Sequence, residues 1–374
     1  MYSQELYDKR QLFTDSIEFK KPQRIPHFST FFTWKVYDSQ YSMKNALYDF
    51  GKMKKVVVQF HERYHFDAYM DLGARNMFAI TDPLGGGTHR FDPVSESIYA
   101  LDDKCMLNGD ELLEYAQDSA RWRKILFQRR YPTLTIKQLM DSETGMMKYG
   151  QFRLQIEELF KSKYATPLYS SFQFQLPHET YQNLRGIKGL ALDMRRNKGL
   201  VKEAFETNFK NDTIALISGV LKGDSSANFV DHSLPMLSHI SLSVKQFEEF
   251  YWPYMKYALE ETFKAGRKVY IYAEGSVLRF SDMFRDIPKG NAALHLELDD
   301  IFETRKKIPN LCLAGGMSSV LLGTGTPEDN VAFAKKLIDT MGEGYIFSED
   351  KMMSFRNDCR RENLLAVCDY ISKN

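Results

Sequence analysis

The sequence feature that most constrains the fold is a repeated alternation of apolar, extended runs with amphipathic segments of helical spacing. Eight runs have the character of strands: 24–31, 66–71, 167–174, 226–231, 268–274, 291–297, 311–315 and 345–348. Helical periodicity separates most of them. Because crossovers between parallel strands are right-handed, eight such strands predict an α/β fold of the (β/α)8 TIM-barrel type. An open doubly wound sheet is the alternative.

The domain organisation follows from the same alternation. A barrel of this kind accommodates 374 residues as one domain when it carries insertions, so we predict a single domain over 1–374. The segment 75–165 fits neither a strand nor a regular helix repeat in its first half, and 133–164 is helical. We interpret it as an insertion after strand 2, serving as a lid over the barrel mouth or as a docking surface.

Composition narrows the function. Hydrophobic residues make up 43% of the chain and aromatic residues 14%, enough for a packed core and an aromatic pocket. Lys plus Arg number 50 and Asp plus Glu 49, so nothing favours nucleic acid or an anionic membrane as a partner. No apolar leader or spanning segment is evident, and the four cysteines form no C-x-x-C pair. We therefore expect a cytoplasmic protein in a reducing compartment.

The glycine-containing stretch 323–330 predicts a helix start. Thr326 is placed as the N-cap, Pro327 at the first helical position, and Glu328 and Asp329 in the first turn, where they complement the helix dipole. Those two acids would repel a phosphate. This stretch is thus interpreted as a helix cap and not as a phosphate site.

Candidate site residues are those that follow each predicted strand, because active sites of such barrels form at the carboxyl ends of the strands. Acids and histidines are frequent there. The residues at these positions are Phe31, Asp71, Phe174, Gln175, Asp231, His232, Glu274, His295, Glu297, Met317, Glu349 and Asp350. Purely structural roles compete with functional ones: Glu274 can pair with Arg279 or Lys268, and His295 can be a satisfied core histidine.

Four segments carry a resemblance to a known family: 240–255 (ISLSVKQFEEFYWPYM), 269–277 (VYIYAEGSV), 323–329 (GTGTPED) and 342–348 (GEGYIFS). In order and spacing they resemble the uroporphyrinogen decarboxylase superfamily. That superfamily includes decarboxylases of heme biosynthesis and corrinoid-dependent methyltransferases of anaerobes. The similarity covers most of the chain, best from about residue 167, and it implies the same barrel.

Differences from the family's motifs indicate which branch of the superfamily this sequence resembles. The decarboxylases carry an arginine-rich turn after the first strand, which holds substrate carboxylates, whereas residues 28–36 (FSTFFTWKV) contain no arginine. Their aspartate after strand two is matched by Asp71 only at a shorter spacing. Thiol-methylating relatives bind zinc through H-x-C and a later cysteine; here the positions hold Tyr272-Ala-Glu274 and the neighbourhood of Glu349. Both sulfur ligands are absent.

The resemblance therefore implies a methyltransferase of the O-demethylase type, in anaerobic metabolism, moving a methyl group from a small O-methylated donor, aromatic or otherwise apolar, to a corrinoid protein. The alternative is a decarboxylase of a uroporphyrinogen-like or smaller carboxylated substrate, with arginines such as Arg75 or Arg90 converging on the mouth. A binding protein that has lost the chemistry is a further alternative. A homodimer is also considered.

Roles are assigned on this basis. Glu274, His232 and Asp231 are expected to be catalytic, with Glu274 protonating the leaving oxygen or binding a metal where relatives use cysteine. Substrate contacts are expected from Phe31, Phe174, Asp71, Gln175 and Met317. The corrinoid is carried by the partner protein. Zinc is the further cofactor considered, and its expected ligands are Glu274, His295, Glu297 and Glu349.

Overall fold

The computed structural model describes residues 2–74, 78–100, 105–170, 172–173 and 175–373. Parallel strands alternate with helices along the chain, and one antiparallel hairpin interrupts them. The strands are β1 (Phe28–Ser29), β2 (Ala68–Tyr69), β3 (His89–Asp92), β4 (Ser97–Ala100), β5 (His232–Met236), β6 (Val269–Ala273), β7 (Ala292–Leu296), β8 (Cys312–Met317) and β9 (Tyr345–Glu349).

Helices connect the strands and surround them. Before β5 they are α1 (Gln4–Ile17), α2 (Trp34–Tyr37), α3 (Met43–Tyr48), α4 (Phe50–Tyr64), α5 (Phe78–Thr81), α6 (Leu112–Gln117), α7 (Ser119–Arg130), α8 (Ile136–Ser162), α9 (Pro177–Arg185), α10 (Ile187–Arg196), α11 (Lys198–Asn208) and α12 (Ile214–Lys222). After β5 they are α13 (Val244–Phe250), α14 (Trp252–Lys264), α15 (Ser281–Arg285), α16 (Ile301–Lys307), α17 (Ser319–Thr324), α18 (Pro327–Met341) and α19 (Arg361–Ser372). Within the described ranges, no helix is long and apolar enough to span a bilayer.

The parallel strands follow one another around a ring. β5 to β9 pair in sequence order, and β1 pairs with β2. Parallel bridges complete the circle, joining His27 to Phe347, Tyr69 to Leu168, Leu168 to Asn228 and Gln173 to Ser233. The predicted α/β barrel of parallel strands is therefore confirmed. Leu168 and Gln173 occupy the third barrel position through isolated bridges, in the third strand segment (167–170 and 172–173).

Successive side chains along each strand point to opposite sides of the barrel wall, so the strands contribute to two separate hydrophobic cores. One set of strand residues, including Phe28, Tyr270 and Ala314, faces the barrel interior, and the alternate set packs against the helices. Phe13 and Ile17 of α1 belong to the interior cluster. Because α1 also places Glu18 2.8 Å from Lys268, just before β6, it closes the barrel at the amino-terminal end.

The insertion after the second barrel strand is ordered over most of its described residues. β3 and β4 form the hairpin, and the predicted helix over 133–164 is confirmed as α8. A capping box between Thr135 and Gln138 starts α8. α8 packs on α4 and α5, where a Cβ at Gly145 would lie 2.2 Å from the Ala79 carbonyl oxygen. This contact fixes the helix beside the barrel.

Removing the Phe13 ring from the barrel interior should lower the stability of the barrel. Phe13 is fully buried and stacks on Phe229 with ring centroids 4.2 Å apart. Phe13→Ala leaves a cavity in the interior, so we expect the free energy of unfolding to fall by about 3–5 kcal/mol in urea denaturation. Phe13→Leu, which fills more of the space, is the matched control and should cost less than Phe13→Ala. A loss below about 1 kcal/mol for Phe13→Ala would show that α1 does not support the interior.

Candidate functional site

A cavity of about 780 Å³ opens beside the carboxyl ends of the barrel strands and extends along the third strand segment. Residues after several strands line it, together with one face of α8. Its aromatic lining consists of Tyr2, Phe32, Tyr69, Tyr149, Tyr169, Phe172 and Tyr272. Rings of this kind offer a surface for an apolar or flat ligand.

Glu274 lies in the wall of this cavity. It follows β6 directly, its backbone N–H donates to the Met236 carbonyl at 3.0 Å, and it shares the inward parity of Tyr270 and Tyr272. The side chain is half-buried. Its position at the mouth is the one expected from the sequence, while its catalytic role stays a prediction.

Glu297 lies at the neighbouring strand end and holds the loop that follows Glu274. Its Oε2 accepts a hydrogen bond from the Gly275 backbone N–H at 2.9 Å. Asp299 accepts from the backbone N–H groups of Val277 and Leu278. Both acids therefore fix the backbone around Glu274. Gly275 has φ +82°, and a Cβ there would lie 2.4 Å from the side chain of Ile240, so this turn requires glycine.

His295 is buried in the barrel interior with both ring nitrogens engaged. Nδ1 lies 2.8 Å from the Tyr270 hydroxyl, and Nε2 lies 3.3 Å from the Asp350 carbonyl oxygen. Burial lowers the pKa of His295 to about 4, so the ring is neutral near pH 7. The structure thus presents a satisfied core histidine.

Glu349 does not point into the mouth. It is buried, shares the outward parity of Phe347, and accepts hydrogen bonds from the Thr30 N–H and the Thr30 hydroxyl, each at 2.9 Å. His27 Nε2 lies 3.9 Å from its other oxygen. Glu349 therefore joins β9 to β1.

The expected zinc ligands are accordingly not brought together. Of the four, Glu274 borders the cavity, Glu297 is bonded to the Gly275 backbone, His295 is saturated and Glu349 faces outward. Across the described part of the chain, no group of three or more His, Cys, Asp and Glu side chains is arranged to hold a metal ion. These residues do not fit the zinc site that was expected.

Asp231 and His232 occupy the opposite end of the barrel from the one expected. β5 begins at His232, which pairs in register with Val269, the first residue of β6. Asp231 accepts from the Lys268 N–H at 2.7 Å and pairs with Arg267 at 3.0 Å. The predicted strand 226–231 was placed too early, so the expected position of both residues at the mouth is wrong.

His232 also faces away from the barrel interior. Its Nε2 lies 2.6 Å from the Thr262 hydroxyl of α14, and the ring is fully buried between strand and helix. Burial lowers its pKa to about 4. A neutral imidazole in this position ties β5 to its covering helix and has no access to the cavity.

Two of the expected substrate contacts face the outer core instead. Phe31 packs between Trp34 and Phe60, with ring centroids 5.0 and 5.4 Å away. The next residue, Phe32, lines the cavity. Met317 lies in the outer core with the alternate residues of β8. The sequence placed aromatic residues correctly at the strand end but on the wrong face.

The remaining expected substrate contacts follow the third strand segment. Gln175 is exposed and accepts from Asn183 at 3.4 Å, outside the cavity lining, whereas Gln173 and Phe172 line the cavity. Phe174 lies outside the described residues.

Asp71, by contrast, borders the cavity together with a cation that the sequence analysis missed. Arg153 of α8 places Nη1 3.3 Å from Asp71 Oδ1 and Nη2 2.6 Å from Glu157. Lys35 donates to the Asp71 carbonyl at 2.6 Å. Arg90, which the decarboxylase alternative would place at the mouth, is instead exposed on the β3–β4 hairpin, and Arg75 lies outside the described residues. The spacing of Arg153 and Glu157, four apart on a predicted helix, was the available signal.

Fold and cavity together define a barrel protein with a cavity at the carboxyl ends of its strands, the usual place for the active site of a barrel enzyme. Comparison with known proteins indicates the superfamily that the chain resembles. The family model described as uroporphyrinogen decarboxylase (URO-D) matches residues 184–356. The predicted resemblance to the uroporphyrinogen decarboxylase superfamily is thus confirmed over these residues.

Among solved structures, a methyltransferase from Methanosarcina mazei has a similar fold, with a TM-score of 0.65 at 14% sequence identity, covering 98% of each chain. This likeness concerns the fold, which the two chains share over nearly their whole lengths. No curated protein matches the chain.

The buried Lys35 should give stability a characteristic pH dependence. Burial lowers its pKa from 10.5 to about 8, so between these values the unfolded chain binds the proton and the folded chain does not. Stability from this group therefore rises with pH across that window. The unfolding free energy of the wild type relative to Lys35→Met should increase by up to about 1.4 kcal/mol per pH unit. A difference that stays constant over the window would contradict the assignment.

Proposed function

We propose that the protein transfers a methyl group from a small O-methylated, aromatic donor to the cobalt of a corrinoid carried by a partner protein. The observation that carries the proposal is the aromatic cavity at the barrel mouth with Glu274 in its wall. The superfamily match and the methyltransferase of similar fold support this reaction class.

The cavity lining favours an apolar donor that carries a ring. Phe32, Phe172 and Tyr272 come from the ends of three different barrel strand segments, so their rings meet at the mouth. Offset or edge contacts between a substrate ring and such side chains contribute about 0.5–1.5 kcal/mol each beyond simple burial. A methoxylated ring is the donor we propose for this surface.

Glu274 supplies the proton in the proposed chemistry. As the bond between the methyl carbon and the ether oxygen breaks, the oxygen takes the bonding pair and accepts the proton of the Glu274 carboxyl, so a phenol leaves. The Co(I) corrinoid supplies the electron pair that forms the new bond to the methyl group. Glu297 and Asp299 hold the loop after Glu274 and keep the carboxyl in place.

The loops around the mouth offer a surface for the partner. Large apolar side chains are exposed on the segments that follow β5, β7, β8 and β9, namely Ile240, Leu298, Val320 and Phe355. Exposed apolar residues gathered at one end of a molecule are typical of protein contacts. We propose that the corrinoid protein docks here, in a reducing, cytoplasmic environment; the cysteines of the chain are all free thiols.

Removing the proposed acid should abolish the reaction. Glu274→Gln keeps the size of the side chain but has no carboxyl proton, so methyl transfer from methoxylated aromatic compounds to cob(I)alamin should fall by about 10²–10⁴-fold. The rate is measured from the absorbance change of the cobalamin. Glu303→Gln, an exposed glutamate on α16, is the control. Activity retained in Glu274→Gln with an unchanged unfolding midpoint would remove Glu274 from the mechanism.

The second candidate function is decarboxylation of a uroporphyrinogen-like or smaller carboxylated substrate, and Arg153 favours it. A guanidinium in the cavity is suited to bind a carboxylate, although Asp71 and Glu157 already pair with this one.

The product distinguishes the two functions. If methyl transfer is correct, carboxylated compounds should yield no CO2. CO2 release that disappears in Arg153→Met and returns in part in Arg153→Lys would transfer the assignment to the decarboxylase, because lysine keeps the charge.

A further inference from the structure

The outer face of α8 carries an apolar stripe that nothing in the described structure covers. Met140, Met147 and Leu154 are 61%, 63% and 71% exposed, and Ile136 near the start of the helix is 78% exposed. The opposite face of α8, with Phe152 and Ile156, is buried against the rest of the protein. A helix that is apolar on both sides is expected to have a second packing partner.

The spacing of the stripe suits another helix. Met140, Met147 and Leu154 recur every seven residues, which keeps them on one line along a paired helix. Gly150 lies beside this line, and no atom lies within 4 Å of the position where its Cβ would be. Glycine inside an exposed helix costs about 1 kcal/mol relative to alanine. A close approach of a partner helix would account for it.

The polar residues beside the stripe indicate which helix could pack against it. Lys137, Thr144, Gln151 and Glu158 also recur every seven residues and are exposed. If a second α8 lies antiparallel, with the two-fold axis at Met147, then Met140 meets Leu154 of the other copy. Lys137 then meets Glu158 of the other copy, and Thr144 meets Gln151. Parallel pairing would instead oppose Lys137 to itself and Glu158 to itself.

We propose that two copies of this chain associate through α8, antiparallel about a two-fold axis at Met147. Such an interface is isologous: the same surface contributes from both sides. Charge, size and apolar pattern are self-complementary in this register. Glu158 at present pairs with Lys161 at 3.3 Å and accepts a hydrogen bond from the Tyr2 hydroxyl at 3.2 Å. Its side chain is 57% exposed, so the carboxylate can also pair with Lys137 of the second copy.

The size of the surface sets the expected affinity. A helix of 27 residues is about 40 Å long and about 10 Å wide, so one seam of this kind is smaller than the roughly 800 Å² per partner of a standard interface. We therefore expect a reversible dimer that forms in the micromolar range. The association is independent of the proposed reaction and is tested without substrate.

Sedimentation equilibrium of the full chain, over about 1–300 µM, measures the association directly. The wild type should show a monomer–dimer equilibrium. Met147→Glu places two carboxylates face to face on the axis and should abolish the dimer, whereas Met147→Leu should retain it. A wild type that stays monomeric, or a Met147→Glu dimer of unchanged affinity, would overturn the proposal.

Cross-linking tests the register. In a Cys105→Ser background, which removes the exposed native thiol, Met147→Cys should give a disulfide-linked dimer under mild oxidation because residue 147 faces its own copy. Met140→Cys alone should not, whereas Met140→Cys with Leu154→Cys should. Efficient cross-linking by Met140→Cys alone, with none by Met147→Cys, would show a different register and exclude this interface.

Discussion

Along each strand of the closed ring, side chains point alternately into the barrel and out toward the helices, and the rest of the structure depends on this alternation. Each strand side chain faces either a small interior, filled by residues such as Phe28 and Tyr270 and plugged by Phe13, or a larger layer beneath the helices. A residue at the carboxyl end of a strand borders the mouth of the barrel if its side chain points inward. Glu274 meets both conditions, and that is why a carboxylate tolerates this position: it stays half-buried beside a cavity.

Local sequence signals predicted the elements well. The cap of α18 is a clear case, since Thr326 and Asp329 form the reciprocal box that their types and spacing indicate. Apolar residues at helical spacing over 361–372 indicate a helix, which the structure has at Arg361–Ser372. By contrast, helical spacing continues without a break over 184–209, but the structure divides this stretch among α9, α10 and α11, with Gly186 at φ +77° between the first two. Hydrophobic periodicity continues through such breaks and does not reveal them.

Site residues were harder to predict because a strand has a period of two, so an error of one residue reverses the face. Phe31 was expected at the mouth where Phe32 lies, and Met317 was expected there although its parity is that of the outer core. At β5 the error was larger, because the apolar run before Asp231 resembles a strand more than the real strand, which contains Pro235. Arg153 comes from the insertion, and no local pattern reports which face of α8 meets the barrel.

The bonds from Thr30 to Glu349 have a consequence for how the chain reaches its native state. They join residues 319 positions apart, and the ring is complete only when β9 lies beside β1. During synthesis the growing sheet therefore exposes two unpaired edges until β9 has emerged. Contacts of such sequence separation slow folding. Chains that stop before β9 keep these edges unpaired, and unpaired strand edges are templates for aggregation.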